Sequence, residues 1–249
     1  MAENAGPGAS SGEETIVNRR FGLLCIGVVA ILIVVQILVF GPSIPDGGWS
    51  VSVGAVLILL IGKAVGLTWD DVGLSPRSMG RGLQYAGVIV GAIAVIAAVG
   101  VALPFTRELF HNDAYRDVGP ALYSALILIP LRTVLAEELI FRGVLFGALR
   151  RTFTPRTALL TQAGLFGLWH VASSLGLSAH NQALGDTVGT GAWGTAAGVL
   201  LAVLVTGFAG IILGWLRIRS GSLLAPIALH WAVNGVGAIA AAIAWHLPS

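Results

Sequence analysis

Seven runs of apolar residues, most of them about as long as a bilayer is thick, constrain this chain more than any other feature. They span Phe21–Phe40, Trp49–Leu67, Leu83–Leu103, Pro120–Leu149, Thr157–Leu175, Trp193–Leu216 and Ser222–Leu247. A helix needs about 20 apolar residues to cross the hydrocarbon core. In lipid every backbone N–H and C=O must be paired inside the structure, which makes the helix the default for each run. Composition agrees: 56% of the 249 residues are hydrophobic, only 10% are charged, and the mean hydropathy is +0.88. Soluble domains carry roughly 25% charge, so there is too little polar surface here for a water-facing globule. The expected fold class is all-α, a polytopic transmembrane bundle of about seven helices. Residues 1–18 are small and polar and are expected to be a disordered tail. The single cysteine, Cys25, lies in an apolar run, which excludes a disulfide framework within one chain.

Arginine placement predicts the orientation. Arg19 and Arg20 precede the first run, Arg77 and Arg81 lie in the 68–82 connection, Arg150, Arg151 and Arg156 in 150–156, and Arg217 and Arg219 in 217–221. With seven alternating crossings, all of these fall on the side of the N-terminus, which is expected to be cytoplasmic in a plasma-membrane protein, with the C-terminus outside. The opposite connections 41–48 and 176–192 hold no Lys or Arg, and 104–119 balances Arg107 and Arg116 against Glu108, Asp113 and Asp117. The net charge of +2 therefore forms no basic patch for nucleic acid. Lys63 lies close enough to the end of its run for its stem to reach the interface. No internal repeat supports a transporter built from two halves.

An ionisable residue at membrane depth is a functional hypothesis by default. Of the twelve acids, only Glu137 and Glu138 fall inside an apolar run, in LAEELIFRG with Arg142. His170 ends FGLWH, and His230 and Asn234 lie in LHWAVN. Counted from Arg150, Arg156 and Gly221, Glu137 is 13 residues in, His170 is 14 and Asn234 is 13. At about 1.5 Å per residue each is roughly 20 Å from the basic face, and His230, 9 residues in, is at about 14 Å. Three helices thus offer polar groups at similar depth, and the site is expected to open toward the cytoplasm. Glu138 and Arg142 are i, i+4 and can pair, as His230 and Asn234 can share a face. Glu137 and Glu138 are about 100° apart, so Glu137 is assigned to chemistry and Glu138 to the Arg142 pair. A carboxylate and an imidazole facing one cavity can deprotonate a water. A second His with an Asn can donate to an oxyanion. Alternatively, Glu137, His170 and His230 are three zinc ligands with an open fourth position, although HExxH is absent.

The pattern Glu137-Glu138-x-x-x-Arg142, Phe166-x-x-x-His170, His230-x-x-x-Asn234 resembles the three motifs of the CPBP family, the CAAX proteases and bacteriocin-processing enzymes that carry the Abi domain. FRG after the Glu pair and SLLAPIALHWAVN around the third motif add to it. The resemblance covers about residues 120–246; it divides the chain into generic helices over 19–119 and a CPBP/Abi-like membrane domain over 120–249. It implies an intramembrane endopeptidase acting on a CAAX-type or other membrane-associated protein or peptide. Glu137 and His170 would activate the water, His230 and Asn234 would stabilise the oxyanion, and Glu138 and Arg142 would support them. The family has been described both as metallo-endopeptidases and as glutamate-dependent proteases without metal. It often shows eight helices.

Two other readings use the same residues. In a non-catalytic scaffold or bacteriocin-immunity-type protein they would only hold helices together, and in a proton-coupled transporter Glu137 would carry the proton. Trp169, Trp231 and Phe166 read as packing residues, Trp49, Trp193 and Trp245 as interface anchors, and His111, His180 and His246 as solvated. Arg132, five residues before Glu137, does not share its face on an α-helix and is left to line a polar cavity or pair with another helix.

Overall fold

A computed structural model describes residues 8–40, 49–175, 189 and 191–247. Among these there is no strand, and seven principal helices form: α1 (Gly8–Phe40), α2 (Trp49–Val65), α3 (Pro76–Ala102), α4 (Val118–Arg150), α5 (Pro155–Trp169), α6 (Ala192–Ser220) and α7 (Leu224–His246). Five stretches are long and apolar enough to cross a membrane; α2, with 17 residues, and α5, with 15, are shorter. Helix α1 begins at Gly8, so residues 8–18 of the expected tail are helical, while residues 1–7 lie outside the described residues, as does His180.

Local chemistry sets several ends. Pro76 and Pro155 occupy first-turn positions, where a missing N–H costs nothing. The Thr154 hydroxyl accepts from the Thr157 N–H at the start of α5. Helix α5 stops at Trp169, six residues before the apolar run does. Its 15 residues span only about 22 Å, less than the roughly 30 Å hydrocarbon thickness. The chain then makes a short 3-10 turn, Ala172–Ser174. Non-helical backbone at such depth is tolerated where it lines a cavity.

One core joins both halves of the chain. Phe21, Leu24 and Val28 of α1 and Ile58 of α2 pack in the same cluster as Ile140, Phe141 and Val144 of α4, Phe166 of α5 and Leu213 of α6. Lipid tails are as apolar as leucine, so close packing rather than water exclusion holds such helices together. The α5–α6 contact shows how: a Cβ on Gly167 would lie 2.6 Å from the Val203 carbonyl oxygen, and Gln162 Nε2 donates to the Gly210 carbonyl at 2.9 Å.

The basic end is stapled as well as charged. In the α2–α3 connection, Thr68 and Asp71 form a reciprocal cap. The Asp71 carboxylate accepts two bonds from Arg151, at 3.0 and 2.6 Å. Arg217, buried at the end of α6, donates Nη2 to the carbonyls of Asp70 and Asp71. Gly73 turns the chain here at φ 81°, and any Cβ would meet the Arg217 guanidinium. At the other end, His111 stacks on Trp245 at 4.2 Å and Arg116 lies 4.9 Å from the same ring.

Candidate functional site

Helix α4 carries the centre of the site and is not a regular α-helix. Ser124–Val134 and Leu139–Leu145 are π-helical, with an α-helical turn, Leu135–Glu138, between them. Pro130 lies inside the first π segment. A proline removes one N–H and crowds the carbonyl four residues back, and the wider turn accommodates both: the Leu135 N–H bonds to the Pro130 carbonyl, an i→i+5 step. Five residues then make about one turn. Arg132 and Glu137 accordingly line the same cavity, which corrects the expectation that five residues separate their faces.

The two glutamates have different surroundings. Glu138 and Arg142 are fully buried, with Arg142 Nη1 donating to Glu138 Oε1 at 2.9 Å. The Phe166 ring covers the guanidinium at 4.0 Å. The same Glu138 oxygen is bonded by His230 Nδ1 at 2.8 Å. His230 is thereby oriented with Nε2 toward Glu137, 3.9 Å from its Oε2. Glu137 accepts at Oε1 from the Trp169 indole N–H at 2.9 Å. Its Oε2 is buried and has no hydrogen-bond partner among the described residues.

His170 terminates α5. Its Nδ1 lies 2.8 Å from the Phe166 carbonyl, which leaves Nε2 for other contacts. Its ring packs edge-on against Phe166. A cavity of about 440 Å³ is lined by Glu137, Trp169 and His170 together with Arg132, Thr133 and Gln36. Gln36 Nε2 also donates to the Trp169 carbonyl. Asn234, in a π-helical turn of α7, lines a neighbouring cavity of about 570 Å³ with His111, Asn112 and Phe110. The two cavities share Tyr115, Ile129 and Thr133. Asn234 therefore does not act in the cavity that holds Glu137 and His170 without a substrate that reaches across this shared wall.

Both cavities lie at the end of the bundle away from the basic connections. Their walls take Phe40 from the last turn of α1, Val51 from the first turn of α2, and Phe110, His111 and Tyr115 from the α3–α4 connection. The expectation that the site opens toward the arginine-rich face is thus overturned. About 20 Å from one face of a core about 30 Å thick leaves only about 10 Å to the other.

The zinc alternative does not find its ligands assembled. Among the described residues, no group of three or more His, Cys, Asp or Glu side chains is placed to hold a metal ion, and Glu137, His170 and His230 are no exception. Three neighbours of the site had no motif to announce them. Trp169 does more than pack, because its indole fixes Glu137. Gln36 and Tyr115 reach the cavity from segments that read as generic. Arg132 lies over Trp49, its guanidinium carbon 5.5 Å from the ring centre.

Residues 119–236 match the family model described as Type II CAAX prenyl endopeptidase Rce1-like. An uncharacterized 24.3 kDa protein of Escherichia coli is 28% identical over 179 residues, covering 66% of this chain and 69% of that protein. No solved structure matches the chain. The matched segment holds Glu137, Glu138, Arg142, His170, His230 and Asn234, so over that segment the chain is similar to the Rce1-like type II CAAX prenyl endopeptidases.

Proposed function

We propose that the chain hydrolyses a peptide bond in a membrane-associated protein or peptide, of CAAX type or another, and that Glu137 is the base. The observation that carries this reading is the state of Glu137: it lines the cavity that also holds His170, with one oxygen held by Trp169 and the other buried and without a hydrogen-bond partner among the described residues. A water between Glu137 Oε2 and His170 Nε2 would give its proton to the carboxylate and attack the scissile carbonyl carbon. The proton then passes to the leaving amine as the C–N bond breaks. His230 through Nε2, and Asn234 from the neighbouring cavity where the substrate reaches across the shared wall, would donate to the oxyanion. His230 is suited to this because Glu138 holds its other nitrogen. No step needs a metal among these residues.

The experiment is cleavage of membrane-anchored candidate peptides by the purified protein, with Glu137→Ala and His170→Ala variants beside it and chelator in parallel arms. Activity should vanish in both variants while their helical circular dichroism and thermal unfolding stay as in the wild type, and chelator should have no effect. Cleavage at the wild-type rate in both variants would remove the proposal. It would leave the same residues as helix-holding groups in a non-catalytic membrane protein.

A further inference from the structure

We infer that Arg132 is the anion-binding residue of the Glu137 cavity and that it takes the C-terminal carboxylate of the peptide substrate, an inference that rests on the proposed peptidase reading. Arg132 lines that cavity with Glu137 and His170. Among the described residues it has no carboxylate partner, and only the face of Trp49 accompanies it. The other arginines inside the bundle are used up structurally: Arg142 by Glu138, Arg217 by two backbone carbonyls. Among the described residues, Arg132 lines this cavity without an ion pair to a protein carboxylate.

Its position fits a substrate terminus. Arg132 lies 18 residues from Arg150, farther along α4 from the basic end than Glu137. Glu137 lies one turn deeper. An extended peptide covers about 3.3 Å per residue, so a chain whose scissile carbonyl faces Glu137 brings its terminus to Arg132 within a few residues. A guanidinium presents a planar fork that matches a carboxylate, and the Trp49 ring limits the directions from which that fork can be approached. A peptide cleaved at Glu137 brings its own carboxylate to Arg132, and a lipid phosphate is the competing occupant that the vesicle series separates.

The test uses the full-length protein in vesicles of zwitterionic lipid and two peptides that differ only in ending as a free carboxylate or as a carboxamide. Wild type should favour the free acid by about tenfold to a hundredfold in kcat/KM, chiefly through KM, as expected for a hydrogen bond between charged groups. Arg132→Gln should erase the preference by lowering the rate on the acid alone, and Arg132→Lys should keep part of it. Equal rates on the two peptides in wild type, or a preference that survives Arg132→Gln, overturns the inference. So does a series in vesicles with anionic phospholipid in which Arg132→Gln abolishes a lipid dependence instead of the carboxylate preference. If wild type cleaves neither peptide, equilibrium binding of the fluorescently labelled pair decides. Binding of the acid that Arg132→Gln removes keeps the anion site and discards the peptidase reading; equal binding of both peptides overturns the anion site itself.

Discussion

Replacing Glu138 by Gln, Arg142 by Met, and then both, separates what the buried pair does for the fold from what it does for the site. Each side chain is fully buried, and the two are joined at 2.9 Å. Removing one partner strands a charge in a region of low dielectric, which costs about 3–5 kcal/mol. Removing both charges strands neither, and leaves a neutral amide whose oxygen can still accept from His230. Each single variant should therefore lose about 3–5 kcal/mol of unfolding free energy in mixed detergent, measured by circular dichroism. The double variant should lose markedly less than the sum, with a coupling of at least about 2 kcal/mol. Peptide cleavage should not recover with stability, because Glu138 also holds His230 Nδ1 at 2.8 Å, and an amide oxygen accepts that bond without the charge. Additive losses would refute the reasoning, since they would mean that neither charge is stranded by the loss of the other. Recovery of full activity in the double variant would refute the orienting role given to Glu138.

Four further outcomes follow from the same geometry. Trp169→Phe keeps the ring but deletes the N–H that holds Glu137 at 2.9 Å; kcat should fall by about tenfold to a hundredfold with KM little changed, as for a lost hydrogen bond to a charged group, and steady-state kinetics on a membrane-anchored peptide would expose a smaller effect. Gly167→Val places atoms against the Val203 carbonyl of α6, so thermal unfolding should shift down by about 1–3 kcal/mol or more of stability, with activity lost as well because His170 ends the same helix. Arg151→Met, by contrast, removes a partly exposed ion pair with Asp71 and should cost no more than about 1 kcal/mol. Finally, in a Cys25→Ala background, a cysteine at Ser173, on the cavity wall, should react with an impermeant thiol reagent from the membrane face opposite to one at Arg77; labelling of both from one face would contradict the cavity's placement.

How much of this could be read beforehand depends on whether the relevant geometry was local. Glu138 and Arg142 are neighbours along one helix, so their pairing needed nothing beyond a period of about 3.6 residues. The seven apolar runs follow from the cost of unpaired backbone in lipid, and they locate the helices to within a turn at most ends. The links between helices were not legible in this way. Trp169 to Glu137 and His230 to Glu138 join residues 32 and 92 positions apart, and no spacing rule reaches that far. Arg132 was misplaced because the rule itself was wrong locally: Pro130 sits in turns closed i→i+5, and a count made at 100° per residue rotates the side chain off its true face. Gln36 and Tyr115 were invisible because a hydrogen-bonding residue in an apolar helix and an aromatic residue in a connection carry no motif.

The placement of the cavities bears on where a substrate meets the protein. Arginines report which connections share a side, and the structure gives them structural duties there: Arg151 and Arg217 both tie down the α2–α3 connection. The end walled by Phe40, Val51 and Tyr115 holds both cavities, and α5 stops short at His170 instead of filling it. A helix that ends partway through the bilayer leaves space for another chain at the depth where its last residue points. The same short helix that brings His170 to Glu137 also makes room for the peptide they would act on. Lengthening α5 to the full span suggested by its apolar run would close the cavity and carry backbone through the position where a scissile bond must lie.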